Sequence, residues 1–513
     1  MDKILISLKK YFDKEKITTF IITFITMMFA HFELYSLIIT GPDTLFGSIY
    51  YNSWQYDAGL GRFSLFYSQI IKGFIVSPFL STLLCAVMLS FAVILIIDIF
   101  KIKNKYFKYI LGIIIAVCPN ISATLTFFFC SDGYIAGMLL AVTAVFVVTK
   151  FEKNKFMPIL GGFIMAISMG MYQTYLSVTM VLFSALILID LLKKEDTKLI
   201  FKRLFKYIIT GIIGIVLYYI FMNLALLIRD AKMSSYSGAN EINFIYSLTN
   251  LPILLPEAYK SFFNYYFTDN IVPSSVWHSN LIYFFLYSIL TLSIGIIIKE
   301  NKLYKRIIFI LLILAILPIC FGIIELITPN INIHVLMGCS FILFFPILFA
   351  IIELINQKDV AKIIKVFVAI CSLAIIWIYI WQDNASYIWM NKTNTQMKSV
   401  MNRIVTRVEE LEEFNKDMPI LVVGQLEYNE YLIASNQIKD RTWGFISCIP
   451  MIWKNNNTGW NKFFYEYMGV NVKIVNIKDN QDILETEEYK NMEVYPSNNS
   501  IKVINNTVVI KLE

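Results

Sequence analysis

Long apolar segments recur along most of the chain, and they decide the environment in which it can fold. About 20 consecutive apolar residues cross the roughly 30 Å of hydrocarbon in a bilayer. Eleven segments approach or reach this length, at 18–40, 75–99, 109–129, 132–149, 156–171, 173–192, 207–228, 277–298, 307–327, 335–355 and 363–381. The sequence therefore predicts a polytopic α-helical membrane protein with about 11 transmembrane helices.

The overall composition supports this fold class. Hydrophobic residues make up 57% of the 513 residues, charged residues 16%, and the mean hydropathy is +0.64. These values lie outside the usage of ordinary soluble domains. The net charge of +7 does not indicate nucleic-acid binding, because the lysines lie in short runs between the apolar segments. Such runs are typical of a chain oriented in a lipid bilayer.

The distribution of positive charge predicts the orientation of the chain. One alternating set of connecting segments carries 25 lysines and arginines, whereas the other set carries five. Positively charged loops stay in the cytoplasm, so the N-terminus is predicted inside. An odd number of spans then places the C-terminal part outside. The loops 41–74 and 229–275 are predicted on the same outer face.

Two domains are expected: a transmembrane domain over 1–390 and a small extracytoplasmic α/β domain over 391–513. Apolar residues spaced by three and four predict an amphipathic helix over 394–414. An apolar run follows at 420–424, and alternating apolar residues predict a strand at 471–477. The closing segment predicts two strands joined at Asn505-Asn506, because asparagine tolerates the backbone geometry of a tight hairpin.

The outer loop 41–74 is the most unusual connecting segment. It combines acidic residues, a single arginine, several tyrosines, a tryptophan and several glycines. The chain lacks a phosphate-cradling glycine loop and a Gly-x-Ser-x-Gly motif. Its three histidines are scattered, so no metal site is predicted, and a need for a divalent metal stays open.

Five segments in this order resemble the bacterial type II O-antigen glucosyltransferase family. That family belongs to superfamily C, the polyprenyl-phosphate-sugar-dependent integral membrane glycosyltransferases. The segments are W-x-x-D-x-GLGRF (54–63), the Pro119 segment leading to SDGY (131–134), SMGMYQTYLS (168–177), PILVVG (419–424) and PSNNSIKVINNTVVIKL (496–512).

The resemblance implies a hexosyltransferase of inverting mechanism in the bacterial plasma membrane, with its active face outside. The implied donor is undecaprenyl-phosphate glucose or a related hexose, and the implied acceptor is a surface glycan such as O-antigen. No cofactor is implied beyond the lipid-linked donor. A small flippase and a donor synthase on the cytoplasmic side are suggested as further partners.

Such a transfer needs a carboxylate that accepts the proton of the attacking hydroxyl. Asp43 is the first candidate for this base, although Pro42-Asp43 also suits an ordinary turn or a helix cap. The family usually has an acidic pair here, whereas this sequence has one carboxylate. Asp57 is the second candidate, or it orients a neighbouring arginine. Asp132 lies at an outer helix end and is assigned to the same catalytic group.

The departing lipid phosphate needs positive charge. Arg62, Lys72 and His334 are the candidate phosphate contacts. The alternatives are interfacial snorkelling for the arginine, a surface position for the lysine and an ordinary interfacial position for the histidine. Trp54, Tyr172 and Gln173 are the candidate sugar or acceptor contacts. The alternative for the tryptophan is an interfacial aromatic belt. Gln173 could equally satisfy backbone groups in a re-entrant turn.

Two other classes remain open. A glycan polymerase would use mid-chain outer loops, and only 229–275 suits it. A lipid-linked glycan flippase or transporter should show internal repeats or paired charges near the bilayer midplane.

Overall fold

The computed structural model describes residues 13–37, 50–234, 249–268, 278–327, 335–426, 460–461, 464–465 and 469–513. The chain divides into two compact units. One comprises Met1–Phe32 and Tyr51–Asp383, and the other comprises Glu33–Tyr50 and Asn384–Glu513.

Helices form most of the described structure. In chain order they are α1 (Lys14–Ala30), α2 (Phe32–Ser36), α3 (Trp54–Gly59), α4 (Leu65–Ile71), α5 (Pro78–Phe100), α6 (Lys105–Ala116), α7 (Pro119–Leu125), α8 (Ser131–Lys150), α9 (Met157–Met171), α10 (Tyr175–Leu192), α11 (Thr197–Ile228), α12 (Leu251–Phe267), α13 (Ser279–Glu300), α14 (Ile307–Phe321), α15 (Ile323–Ile327), α16 (Phe344–Ile352), α17 (Lys358–Glu409), α18 (Gln481–Glu485) and α19 (Glu487–Lys490). A 3₁₀ helix over Val335–Leu343 leads directly into α16.

Eight helical segments of the described chain are long and apolar enough to cross a membrane. They are Pro78–Phe100, Ser131–Lys150, Tyr175–Leu192, Thr197–Ile228, Ser279–Glu300, Tyr304–Phe321, Val335–Ile352 and Lys358–Lys392. The pair α6 and α7, bent by 43°, would make a ninth. The prediction of about 11 spans is therefore not confirmed.

The three remaining predicted spans differ from the eight in helix length or continuity. The segment 18–40 contains α1, which ends at Ala30 after 17 residues, and the segment 156–171 contains α9, which has 15 residues. The segment 109–129 is interrupted between Ala116 and Pro119. A hydropathy window averages across such interruptions, so it does not detect them.

Helix α12 lies within the segment 229–275, which the sequence treats as a loop. It packs against α13, α14 and α15. Its charged residues Glu257 and Lys260 and its internal Pro256 make the segment read as a connector in the sequence.

The basic connecting segments meet at one end of the first unit. The carboxylate of Glu353 accepts hydrogen bonds from the backbone N–H groups of Lys103 and Asn104, both at 2.8 Å. Asn301 donates to the carbonyl of Leu192 at 3.2 Å. Segments that the charge distribution assigns to one side of the membrane are thus in contact with one another.

The second unit contains a four-stranded sheet. Its strands are β1 (Pro419–Val423), β2 (Lys473–Val475), β3 (Ile501–Ile504) and β4 (Thr507–Lys511), in the order β2-β1-β4-β3. Strand β1 pairs parallel with β2 and β4, and β3 pairs antiparallel with β4. Asn505 and Asn506, with φ of 50° and 57°, form the predicted hairpin turn.

Apolar side chains cover both faces of this sheet. Ile420, Val422 and Ile510 pack with the helical residues Met401 and Ile404. On the other face, Leu421 and Val509 pack with Ile483 and Met492. The amphipathic spacing over 394–414 thus corresponds to a helix face that packs on the sheet.

Candidate active site

The sequence W-x-x-D-x-GLGRF folds into a short helix, α3, followed by a tight turn. The N–H of Gly61 donates to the carbonyl of Ala58 at 2.9 Å, and the N–H of Arg62 donates to the carbonyl of Asp57 at 2.8 Å. Gly61 has a φ of +71°, which favours glycine. The motif is therefore a folded turn that fixes Arg62 relative to Asp57.

Neighbouring helices hold this turn through its backbone. The side chain of Gln173 donates to the carbonyl of Leu60 at 2.6 Å and to the hydroxyl of Tyr218 at 3.1 Å. Tyr218 in turn donates to the carbonyl of Gly61 at 3.2 Å. A Cβ atom on Gly61 would lie 2.6 Å from that hydroxyl oxygen. The turn consequently has no room for a side chain at this position.

Arg229, directly after α11, joins the two ends of the motif. Its guanidinium donates to the carbonyl of Trp54 at 3.1 Å and to the carbonyl of Phe63 at 2.7 Å. The same guanidinium lies 3.8 Å from the centre of a ring of Trp54. Trp54, predicted as a sugar contact, therefore already has one cationic partner on its ring.

Asp57 lies in the interior of the motif, with 1% of its surface exposed. The hydroxyl of Ser53 donates to one carboxylate oxygen at 2.5 Å. Burial raises the pKa of Asp57 to about 6, against the hydrogen bond from Ser53 and the charges of Arg62 and Arg229. A carboxylate with such a pKa can accept a proton near neutral pH.

Arg62 lies against two stacked tyrosines. Its Nη1 donates to the hydroxyl of Tyr134 at 2.8 Å, and its guanidinium carbon lies 4.8 Å from the ring centre of Tyr172. The two tyrosine rings stack at 4.7 Å with an interplanar angle of 22°. The Nε of Arg62 is buried and has no hydrogen-bond partner in the described part of the chain. One donor of this half-buried arginine is therefore unsatisfied within the described part of the protein.

Lys72 and Asp132 form a buried ion pair. The ammonium lies 2.5 Å from a carboxylate oxygen, and it also donates to the hydroxyl of Ser81 and the carbonyls of Phe128 and Phe129 at 3.1–3.4 Å. The sequence assigns Lys72 to phosphate binding and Asp132 to catalysis. In the structure, the two side chains instead pair with each other.

A second polar cluster surrounds the bend between α6 and α7. Asn120 donates to the carbonyl of Val335 at 2.6 Å and accepts a hydrogen bond from Tyr265 at 2.6 Å. Ser122 donates to the fully buried Asp383 at 2.7 Å. This cluster was not predicted from the sequence, because its members are far apart in the chain. A carboxylate just after an apolar segment, as Asp383 follows 363–381, is the signal that could have found it.

The predicted site residues that the structure describes fall into two groups. Trp54, Asp57, Arg62, Tyr172 and Gln173 share contacts around the turn of the motif. Lys72 and Asp132 form the separate ion pair, and Arg62 bonds Tyr134, two residues beyond Asp132.

Asp43 and His334 lie outside the described residues, so their predicted roles stay predictions. Within the described ranges, no three histidine, cysteine, aspartate or glutamate side chains come together as a metal site.

Eight helical segments of the described chain could span a membrane, and buried charges and an arginine–tyrosine cluster lie near helix ends. These features are compatible with a membrane protein that has a polar site. The family profile described as Glucosyl transferase GtrII matches residues 43–345, more than half of the chain. The chain belongs to this glucosyl transferase family, which confirms the resemblance read from its motifs. Comparison with curated proteins and comparison with solved structures gave no match. Family membership supports a glycosyltransferase.

Proposed function

We propose that this protein transfers glucose, or a related hexose, from undecaprenyl phosphate to a cell-surface polysaccharide such as O-antigen or a wall glycan. The proposed site is the turn of the motif at the extracytoplasmic face of the bacterial plasma membrane. The observation that carries the proposal is Arg62, a half-buried arginine whose Nε has no hydrogen-bond partner among the described residues, beside a carboxylate of raised pKa. This combination supplies both charges that the reaction needs.

The reaction is a single displacement at the anomeric carbon. An acceptor hydroxyl forms the new C–O bond, the bond from the sugar to the lipid phosphate breaks, and the configuration inverts. The hydroxyl proton goes to a carboxylate, and undecaprenyl phosphate leaves with an added negative charge. Negative charge therefore develops on the phosphate oxygens as the bond breaks.

Arg62 is the group proposed to bind those oxygens. A guanidinium offers planar donors that fit phosphate. Tyr134 and Tyr172 fix its plane through a hydrogen bond of 2.8 Å and the ring contact at 4.8 Å. A donor already held in place costs no reorganisation when charge develops in the transition state.

Two carboxylates are candidates for the base, Asp57 and Asp43. Asp57 has a pKa of about 6, close to the pH at which a general base works best. Asp43 belongs to the same predicted outer loop. We propose Asp57 as the base and treat Asp43 as the alternative that the same experiment tests.

Lys72 and Asp132 are proposed as positioning residues. Their charges are satisfied by each other and by internal hydrogen bonds. Asp132 lies in the first turn of α8, two residues before Tyr134. The ion pair therefore fixes the helix end that presents the Tyr134 hydroxyl to Arg62. Because the pair lies at a helix end, it does not suit the midplane charge pair of a transporter.

The test uses membranes containing the full chain, radiolabelled undecaprenyl-phosphate glucose and surface glycan from the host. Wild type should move label to the glycan, whereas Asp57→Asn and Arg62→Gln should leave it on the lipid. Asp98→Asn is the matched control, because Asp98 pairs with Lys16 at the other end of the unit. Loss of transfer in Asp43→Asn with retention in Asp57→Asn would assign the base to Asp43.

Donors carrying other hexoses test the sugar. Label that stays on the lipid with every lipid-phosphate hexose would contradict the proposal and favour the polymerase or flippase alternative. Addition of EDTA to the same assay tests for a divalent metal.

A further inference from the structure

The chain that follows α11 lies along the W-x-x-D-x-GLGRF motif. The backbone N–H of Ser234 donates to the carbonyl of Gly59, the last residue of α3, at 2.8 Å. A Cβ atom on Gly59 would lie 2.8 Å from the carbonyl oxygen of Lys232, so the two backbones approach more closely than a side chain would allow. Residues 229–234 of the segment 229–275 are therefore in direct contact with the segment 41–74.

Arg229 begins this stretch and is buried, with 4% of its surface exposed. Its guanidinium donates to the carbonyls of Trp54 and Phe63 at 3.1 and 2.7 Å. Asp57 and Arg62 lie between these two carbonyls in the chain. An arginine presents its donors in one rigid plane. A single side chain therefore fixes both ends of the segment that carries the proposed base and the proposed phosphate contact.

The charge of Arg229 also acts on Asp57. Among the described residues, Arg229 forms no ion pair with a carboxylate within 4 Å. Burial raises the pKa of Asp57 to about 6, and the positive charges of Arg62 and Arg229 oppose that rise. Arg229 is thus one of two cations that favour the charged form of this carboxylate.

Two other ionisable side chains act on Asp57. They are Tyr51 and Cys130. Burial raises the pKa of the phenol and of the thiol, so both are uncharged near neutral pH. The two arginines are therefore the charged groups that act on the Asp57 carboxylate within the part of the chain that the structure describes.

We propose that Arg229 is a positioning residue of the transfer reaction, which keeps the two ends of the motif together and favours the deprotonated carboxylate of Asp57. This role rests on the proposed function, in which Asp57 accepts the proton of the acceptor hydroxyl. The competing explanation is that Arg229 only caps the C-terminus of α11, where any cation is favourable. In that case the residue stabilises the fold and has no effect on the reaction.

Three variants distinguish these two roles. Arg229→Lys keeps the charge but not the planar fork, whereas Arg229→Gln removes both. Lys232→Gln is the matched control, because it removes a positive charge from the same stretch. The side chain of Lys232 is exposed, and its contact with Gly59 is made by its backbone.

The kinetic test measures kcat/KM with the lipid-linked donor from pH 4.5 to 8. Arg229→Lys and Arg229→Gln should both lower kcat/KM at pH 8 by at least about tenfold, because the ends of the motif are no longer fixed. Only Arg229→Gln should also move the midpoint of the acid limb, by about half a unit to higher pH, because one opposing charge is lost. Lys232→Gln should match wild type in rate and midpoint.

Three kinetic outcomes would overturn the proposal. A lysine also serves as a helix-capping cation, so a wild-type rate in Arg229→Lys would show that capping is sufficient. An unchanged midpoint in Arg229→Gln would show that its charge does not act on the base. An equal shift of the midpoint in Lys232→Gln would assign the effect to general surface charge.

Hydrogen–deuterium exchange separates this proposal from the proposed reaction. It is measured on the full chain in nanodiscs, for peptides that cover 54–63 and for peptides from α10. The N–H groups of Gly61 and Arg62 donate within the turn, so they should exchange faster in Arg229→Lys while α10 exchanges as in wild type. This local change would support the positioning of the motif even where no sugar is transferred. Wild-type exchange over 54–63, or faster exchange in both regions, would overturn it.

Discussion

Lys72 and Asp132 form an ion pair of 2.5 Å although they lie 60 residues apart, and their side chains are 0% and 3% exposed. Removing one member of such a pair leaves the other charge buried without compensation. We expect Lys72→Met or Asp132→Asn to destabilise the protein by about 3–5 kcal/mol. Thermal unfolding of the detergent-solubilised protein measures this loss.

The double variant Lys72→Met/Asp132→Leu separates positioning from catalysis. It removes both charges, so most of the thermal stability should return. Glycosyl transfer should return with it, because the contacts of the pair are internal to the protein. A double variant that folds as wild type but transfers no sugar would place Asp132 among the reacting groups.

Substitution of Arg62 should reduce the rate of sugar transfer more than it reduces the thermal stability of the protein. Arg62→Gln removes the charge that we propose binds the leaving phosphate, and we expect transfer to fall by at least about 100-fold. Arg62→Lys keeps the charge but not the planar fork, so it should recover only part of the rate. Initial rates with the lipid-linked donor measure both effects.

Arg203→Gln is the control for loss of an arginine. Arg203 pairs with Glu152 and Asp190 at 3.0 and 2.8 Å, away from the motif. This variant should transfer sugar at the wild-type rate. Equal losses in Arg203→Gln and Arg62→Gln would indicate a general effect of charge removal and contradict a specific phosphate contact.

The raised pKa of Asp57 predicts how the rate of transfer depends on pH. Burial raises its pKa from 3.8 to about 6 in the folded protein, so it holds a proton below about pH 6 and can act as a base only above it. We expect kcat/KM to fall as the pH drops through about 6. The raised pKa also lowers the free energy of unfolding above about pH 6, where the buried carboxylate is charged. This destabilisation decreases as the pH falls from about 6 towards 3.8.

Ser53→Ala checks the assignment of that pH dependence. The hydroxyl of Ser53 donates to the Asp57 carboxylate and lowers its pKa. Its removal should move the midpoint of the acid limb to higher pH, as measured by kcat/KM from pH 4.5 to 8. A midpoint that stays at the wild-type pH in Ser53→Ala would indicate that another carboxylate, such as Asp43, is the base.

The local parts of the structure were predictable from sequence because local geometry determines them. The alternation around Asn505-Asn506 predicts a hairpin, and both residues adopt positive φ in that turn. The grouping of Asp57 with Arg62 likewise follows from five residues of sequence separation. Short-range patterns of this kind report directly on backbone conformation.

The partners of the charged side chains were not predictable in the same way. Lys72 suits either a phosphate contact or a surface position in the sequence, because no nearby residue indicates a pairing with Asp132. Gln173 suits a sugar contact and a backbone contact equally in the sequence, and in the structure it donates to the carbonyl of Leu60. Arg229 looks like a cation at the end of an apolar segment, but it joins Trp54 to Phe63. Long-range packing decides these roles, and periodicity in one sequence carries no information about it.

Substitutions at Gly61 and Gly73 can distinguish the effect of backbone strain from the effect of steric crowding in the segment 41–74. Both have positive φ, +71° and +60°, but a Cβ atom at Gly61 would lie 2.6 Å from the Tyr218 hydroxyl oxygen, whereas one at Gly73 would meet nothing within 4 Å. Gly73→Ala should therefore cost only about 1 kcal/mol of backbone strain and retain transfer. Gly61→Ala must displace Tyr218 or the turn, so transfer should be lost. Transfer and thermal unfolding measured on both variants test this; similar retention in both would show that the tight turn before Arg62 is not required for the reaction.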